Sequence, residues 1–499
     1  MIAGIDLGTT NSVMTVLSGG KPVIIPNSEG EGITPSVLAR HPRTHEWSVG
    51  TPAKRQAVTN PDDSVVSINR VIGRKFTDSI VQDSLLWLPH KVIHSANNDC
   101  QVVIGGNEHS PQEISAMILR KLKADAEAYI GDKITEAVIA VPAYFNGNQC
   151  RATREAAKIA ELEVFRLISE TAAASITYGV NSNVEETVAV YHLGGGFFDI
   201  SIVDMGEGTF QVLSTSGDTR LGGDDFDRRI VRWLTDEFTK QDETELCRDK
   251  MMLQMLFQIA EEVKCELSSV HQTEINLPFD SGGKPFSITF TRDKLEELTA
   301  DLVERTMVIC RQAMTDAEES FKKDKRKLKI DRVIMTGGQT RMPLIQEKVR
   351  HLFGKPIFMA GNESVAMGAA FLAGVLTGQV KDALLLDAIP LTLGVETVGG
   401  VMTPVIPRNH TVPTLASQVF STSDDNQPTI EVHLTEGENP KAADNESLGR
   451  LLFEGVPPAP KGVPQIEVSF SIDANRLLWV TAKDIETDKE LNGSGYLWI

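Results

Sequence analysis

Nine residues, Tyr191-His192-Leu193-Gly194-Gly195-Gly196-Phe197-Phe198-Asp199, bring glycines, a carboxylate and an imidazole into one short stretch. They echo an N-terminal segment, Gly4-Ile5-Asp6-Leu7-Gly8-Thr9-Thr10-Asn11. Each segment follows an apolar, β-rich run and opens into another strand, Ser12–Leu17 or Ile200–Met205. The pattern predicts a duplicated strand-loop-strand unit whose glycines bring backbone N–H groups close to phosphate. Asp6 and Asp199, expected at matched places in the two hairpins, could face each other across a cleft and hold a hydrated Mg²⁺. Gly8, Thr9, Thr10 and Asn11 would meet the phosphates from one side, and Gly194, Gly195 and Gly196 from the other. Glu170, just after a strand-like Val164–Ile168, is a candidate for polarising water. Such a set suits phosphoryl transfer to water, which needs held phosphates, a divalent cation and an oriented nucleophile. Taken singly, Asp-Leu-Gly and a triple glycine are ordinary turn chemistry. Their duplication, with a later Gly337-Gly338, carries the functional reading.

Holding two such loops face to face takes sheets backed by helices. Residues 1 to about 377 alternate the two. Ala137–Val141 and Asp331–Met335 read as strands, Val188–Met205 as a hairpin, and Gln149–Glu161, Asp224–Lys240 and Pro343–Phe353 as helices. Such interleaving implies an α/β domain with largely covered sheets. Beyond a charged-flanked leucine run, Val380–Asp387, the pattern changes to short alternating strands: Ser417–Thr422, Thr429–Leu434, Gln465–Ile472 and Leu477–Ala482. Turn clusters separate them, as expected of an all-β module. The division is therefore 1–377, a connector at 378–390, and 391–499. The leucine run alone also fits a buried edge strand.

The whole-chain numbers set bounds. The 499 residues are 41% hydrophobic and 23% charged, as in globular proteins, with a formal net charge of −19. That acidic excess argues against non-specific nucleic-acid binding. Five scattered cysteines (Cys100, Cys150, Cys247, Cys265, Cys310) show no metal-binding spacing and read as reduced thiols of a cytoplasmic protein. No run has the length of a membrane span. A first strand beginning at Ile2 leaves no room for a leader, although a processed form would look the same.

Further motifs make the resemblance specific: Val141-Pro142-Ala143-Tyr144-Phe145-Asn146, Gly217-Asp218-Thr219-Arg220-Leu221-Gly222-Gly223 and Gly337-Gly338-Gln339-Thr340-Arg341-Met342-Pro343. Asp382–Asp387, Ser417–Thr422 and Pro457-Pro458-Ala459-Pro460-Lys461-Gly462 complete the set. Together they resemble the seventy-kilodalton heat-shock chaperones, of bacterial type, from Ile2 to about Lys489. The resemblance implies an actin-like (duplicated ribonuclease-H-like) ATPase domain that binds ATP or ADP with Mg²⁺, a linker, and a β-sandwich gripping extended apolar peptides. It places Glu261, Lys264 and Ser268 at the nucleoside, Gly338 and Arg341 against the adenine, and Asn362 on the adenosine side. In the β module it assigns Val395, Thr397, Val398, Phe420, Ser423, Ile430 and Val432 to the peptide cleft. Unfolded apolar peptides, a J-domain co-chaperone and a nucleotide-exchange factor are the implied partners. On pattern alone, the apolar cleft positions would be sandwich core.

Departures from the family cluster at the chemistry. Asn69 stands for the catalytic lysine, His192 for an aspartate near the metal and Phe197 for a threonine near the γ-phosphate. Arg70, next to Asn69, is expected to point elsewhere. Loss of a cation at a phosphoryl-transfer site costs on the order of 10²–10⁵ in rate. His192, if partly protonated near its ordinary pKa of about 6.5, would also repel the metal. Asn362 replaces an adenosine-side aspartate, Thr171 a proline after Glu170, Cys150 the arginine partner of the switch proline Pro142, and Gly147 an aspartate. Leu491–Ile499 reads as breaking off from the last sandwich strand with no helical lid. Its apolar end, Tyr496-Leu497-Trp498-Ile499, suggests tail-into-cleft self-association, with a frayed terminus as the plainer alternative. The expected function is an ATP-dependent chaperone with weak hydrolysis. The alternatives are an ATP-binding peptide holdase without turnover, a small-molecule kinase of the actin-like superfamily, or a filament-forming ATPase. Linker and β-sandwich argue against the last two.

Overall fold

Apolar runs such as IAGIDL (Ile2–Leu7) and EAVIAV (Glu136–Val141) form strands covered on both faces. A computed structural model describes residues 1–182, 185–240, 250–280, 285–323, 327–380, 383–491 and 495–498. Two sheets organise the first three quarters of the chain. In the first, the order is Glu163–Ser169, Glu136–Val141, Ile2–Leu7, Asn11–Ser18, Lys21–Ile24. In the second, Ile357–Met359, Arg332–Thr336, Glu186–Leu193, Phe198–Gly206 and Thr209–Asp218 follow one another in the same way. The first two steps are parallel and the last two antiparallel in both sheets. Topology thus repeats the duplication expected from the two glycine segments.

Between the sheets lie the helices Glu170–Ser182 and Ser364–Leu376. Their small residues, Ala172, Ala173 and Ala369 among them, share one apolar cluster with Ile2, Val188 and Ile334. A Cβ on Gly368 would overlap the Ala173 carbonyl, so glycine sets how closely these helices cross. Separate clusters fill the outer side of each sheet. Helix Gly147–Ile159 starts at a capping box, with Asn146 accepting from Gln149 N at 2.9 Å and Gln149 returning the contact.

Beyond residue 390 the chain is strand and turn. One sheet runs Val401–Ile406, Leu393–Thr397, Thr429–Glu436, Glu446–Glu454, and the other Thr414–Phe420, Ile466–Ile472, Leu477–Asp484, Lys489–Glu490. Leu393, Val432, Val468, Phe470 and Val480 form a common core, so the sheets pack face to face.

Two expectations change here. The leucine run is not an edge strand. Leu384–Ala388 pairs in parallel with Thr209–Gln211 and antiparallel with Thr411–Val412, which makes it an interior strand of the second sheet. Leu385 enters the core while Leu384 stays exposed. Lys381 and Asp382 lie outside the described residues, as does Cys247. The tail also differs. Gly495–Trp498 pairs with Leu477–Val480, continuing the ladder that Lys489 and Glu490 begin on Asp484 and Lys483. The tail is thus paired along one side with Leu477–Val480, and tail-into-cleft self-association would compete with that pairing. Asn492–Ser494 and Ile499 lie outside the described residues.

The β module sits against the α/β part. Arg476 bonds Asp387 and the Ala388 carbonyl, both at 3.1 Å. Arg408 bonds Asp316 at 3.0 Å, and Glu436 accepts from Gly147 N at 2.9 Å, the first residue of its helix.

Candidate functional site

The two hairpin loops touch. A Cβ on Gly195 would overlap Thr10 Oγ1, and one on Gly196 would stand 2.6 Å from Thr9 Oγ1, so only glycine allows the approach. Strand register then decides where the carboxylates fall. Asp6 stands opposite Val13, and His192 stands opposite Asp199. By position, then, the counterpart of Asp6 is His192, and that of Asp199 is Val13. The expectation that Asp6 and Asp199 occupy matched places is therefore corrected: each hairpin gives one carboxylate, from opposite strands.

Asp6 lines a cleft, Asp199 is buried outside its lining, and neither has a full set of partners among the described residues. Asp199 is fully buried; its Oδ1 accepts from Tyr144 N at 3.1 Å, and Oδ2 has no partner among the described residues. Asp6 Oδ1 is equally unpartnered. Burial pushes each up to about 7. Glu170, at the start of its helix, is buried and pushed well above the usual carboxylate range by burial, then by Asp6 and Asp199. Its Oε2 lies 3.0 Å from His192 Nε2. Burial drives His192 down to about 4, so the imidazole is neutral near pH 7. Cationic repulsion of a metal by His192 therefore does not arise. The neutral ring lies against Glu170 and offers the cleft no charge.

The cleft has a volume of about 370 Å³ and reaches from Asp6 and Glu170 to Gly338, Arg341 and Asn362. Gly8, Thr9, Thr10 and Asn11 line it with Gly194, Gly195 and Gly196, as do Glu261, Lys264 and Gly337. Arg341 donates to Asn362 Oδ1 at 3.1 Å. Lys264 is committed to Asp227 at 2.8 Å and to the Gly223 carbonyl at 3.0 Å. Ser268 donates back to the Lys264 carbonyl at 3.5 Å and is outside the lining.

Asn69 does not reach into this space. It is buried in the short turn Ile68–Arg70, and its Nδ2 donates to the Leu7 carbonyl at 2.7 Å. Arg70 is fully buried, paired with Asp224 at 3.1 Å and Asp225 at 2.6 Å, and lies over Trp87. Its guanidinium is spoken for, in line with the expectation that it does not replace a lysine. Phe197 packs edge-on against Phe145 with centroids 5.2 Å apart, so much of its bulk enters the core of the first sheet. Thr171 bonds Ser201 at 2.7 Å.

Sequence reasoning missed Lys54, which meets Glu261 at 2.7 Å from the opposite wall, and the Asp227 partner of Lys264. Asp224 and Asp227 had a local signal, the Gly222-Gly223 turn opening a helix. Lys54 had none, because its partner is remote in the chain. In the β module, Val395, Ile430 and Val432 are buried in the core, Phe420 is half-buried against it, and Thr397 bonds Thr403 at 2.9 Å. Val398 is 90% exposed, and Ser423, also exposed, bonds Asp424 and Gln427.

The unpartnered oxygens of Asp6 and Asp199, beside loops a single Cβ would block, suit a divalent cation carrying phosphate. A family model described as "Hsp70 protein" matches the chain over residues 2–493.

Proposed function

The chain belongs to the seventy-kilodalton heat-shock protein family of chaperones, and from that premise we propose an ATP-gated client-binding chaperone whose hydrolysis is slow. The observation that carries this reading is the meeting of the two hairpin loops beside the unpartnered carboxylates of Asp6 and Asp199. The repeated sheet order supports an actin-like nucleotide domain at 1–377, and the two face-packed sheets support a peptide-binding sandwich at 391–499. A J-domain partner and an exchange factor are proposed from family membership. Among the described residues, no helix is long and apolar enough to cross a membrane; a cytoplasmic setting is part of the proposal.

Asp6 and Asp199 would hold Mg²⁺, which when bound neutralises phosphate charge. Backbone N–H groups of Gly8–Thr10 and Gly194–Gly196 would bind phosphate oxygens, because glycine lets the main chain come close. Glu170 would orient the attacking water, held in place by His192 through their 3.0 Å contact. Arg341 and Asn362 would orient the nucleoside. Among the described residues, neither candidate for a cation at the transferred phosphate is free: Asn69 is tied to Leu7 and Arg70 to two aspartates. That same observation supports the second reading, a holdase that binds ATP without turnover. Leu384–Ala388 would couple nucleotide to client, since it joins the second sheet to the β module.

The test is calorimetric titration with Mg·ATP alongside fluorescence anisotropy of a labelled apolar peptide. Micromolar or tighter ATP binding that speeds peptide release is expected. Peptide binding indifferent to ATP contradicts gating, and no heat with ATP contradicts the nucleotide site.

A further inference from the structure

On the solvent side of the sheet Leu393–Thr397, Thr429–Glu436, Glu446–Glu454, three side chains stand in line. Glu396 Oε2 lies 2.6 Å from His433 Nδ1, and His433 Nε2 lies 2.8 Å from Ser447 Oγ. A carboxylate only accepts, so Nδ1 carries the proton in the neutral ring, and Nε2 is left as the acceptor of the Ser447 hydroxyl. An irregularity in the pairing makes this possible. His433 faces Arg450, but the register shifts between Leu434 and Thr435, so that Ser447 falls opposite Thr435. Such a shift re-aims a side chain. Gly449, at φ 143, is the residue beside the shift on the partner strand. The His433 ring is mostly covered, with 12% of its side chain exposed, whereas Ser447 faces solvent. Arg450 completes the surroundings: it ion-pairs with Glu431 and lies 3.4 Å from Glu396 Oε2 and from His433 Nδ1. From the α/β part, Asn148 donates to the Ser447 carbonyl at 3.3 Å and to Glu446, which fixes the main chain at the serine.

A hydroxyl, a base and a carboxylate that orients the base are the parts of nucleophilic acyl transfer. We propose that Ser447, with His433 as base and Glu396 as its positioning residue, is an acyl-accepting site for small activated acyl donors such as aryl esters or acyl phosphates. Ser447 Oγ bonds to the acyl carbon while its proton passes to His433 Nε2. The tetrahedral adduct expels the alcohol or phosphate, which takes that proton. Water, giving a proton to the same nitrogen, then attacks the acyl-serine ester, releases the acid and restores the hydroxyl. The site lies outside the nucleotide cleft and depends on none of the roles assigned there.

The experiment uses the full chain with 4-nitrophenyl acetate, followed by intact mass and peptide mapping. One acetyl group on Ser447 is expected, formed about 10²-fold faster than in His433→Gln, with Glu396→Gln between them. Ser447→Ala loses the adduct. Labelling of Ser447 no faster than in His433→Gln, or acetylation confined to lysines, overturns the proposal. A Ser447→Cys variant is an independent check: adding His433→Gln should slow its alkylation by iodoacetamide, and an unchanged rate counts against the relay.

Discussion

In the first hairpin Asp6 stands opposite Val13; in the second His192 stands opposite Asp199. One backbone plan, used twice, delivers one carboxylate per copy, from the incoming strand in one and the outgoing strand in the other. The remaining two positions have diverged. Val13 is apolar and packed, whereas His192 is a neutral ring set 3.0 Å from Glu170. Just beyond, the first loop ends in hydroxyls and the second in Phe197, wedged against Phe145. The comparison teaches that the second hairpin has been turned toward packing while its glycines keep the shape of a phosphate loop.

The sharpest way to break this contrast is at its bulkiest point. Phe197→Thr removes a buried ring and should cost about 3 kcal/mol in urea denaturation. Thr10→Ser in the first loop should cost about 0.5 kcal/mol or less. Equal losses would show that the two loops do the same structural work.

Next in size is His192→Asp. It adds a carboxylate to a site that already holds Asp6, Glu170 and Asp199, so the metal-free protein should lose about 2 kcal/mol. Mg·ATP should return most of it, read as a rise in thermal midpoint. A variant as stable as the parent without metal would contradict the crowding of acids at this point.

Much of this was legible in the sequence, and the rest was hidden for a physical reason. Glycine spacing marked both loops, and periodicity marked a helix near Pro343–Phe353, where one lies. Register did not show. Which residue faces Asp6 depends on pairing with Asn11–Ser18, and the turn alone does not specify it. The charge state of His192 follows from burial by elements remote in the chain. The leucine run reads alike as connector or strand until its partners, Thr209–Gln211 and Thr411–Val412, are in place.

A smaller effect should appear with pH. Asp6 and Asp199 are raised to about 7 by burial, so the fold favours their protonated forms. Their contribution to stability is full below about pH 4 and is lost as pH rises through about 7. Glu436, buried between the modules, is also raised to about 7 and adds in the same sense. Thermal midpoints without nucleotide should therefore be higher at pH 5.5 than at pH 8. Mg·ATP should flatten the part due to Asp6 and Asp199, and Glu436→Gln the remainder. A steeper slope with Mg·ATP would contradict the assignment of the two aspartates to the cation.

The central proposal is that this cleft binds ATP and, among the described residues, has no cation placed to speed its cleavage. Single-turnover hydrolysis of ATP by the parent chain and by Asn69→Lys/His192→Asp/Phe197→Thr tests it most directly. A gain on the order of 10²-fold or more in the triple variant is predicted. A parent that already hydrolyses ATP as fast as the triple variant would contradict it.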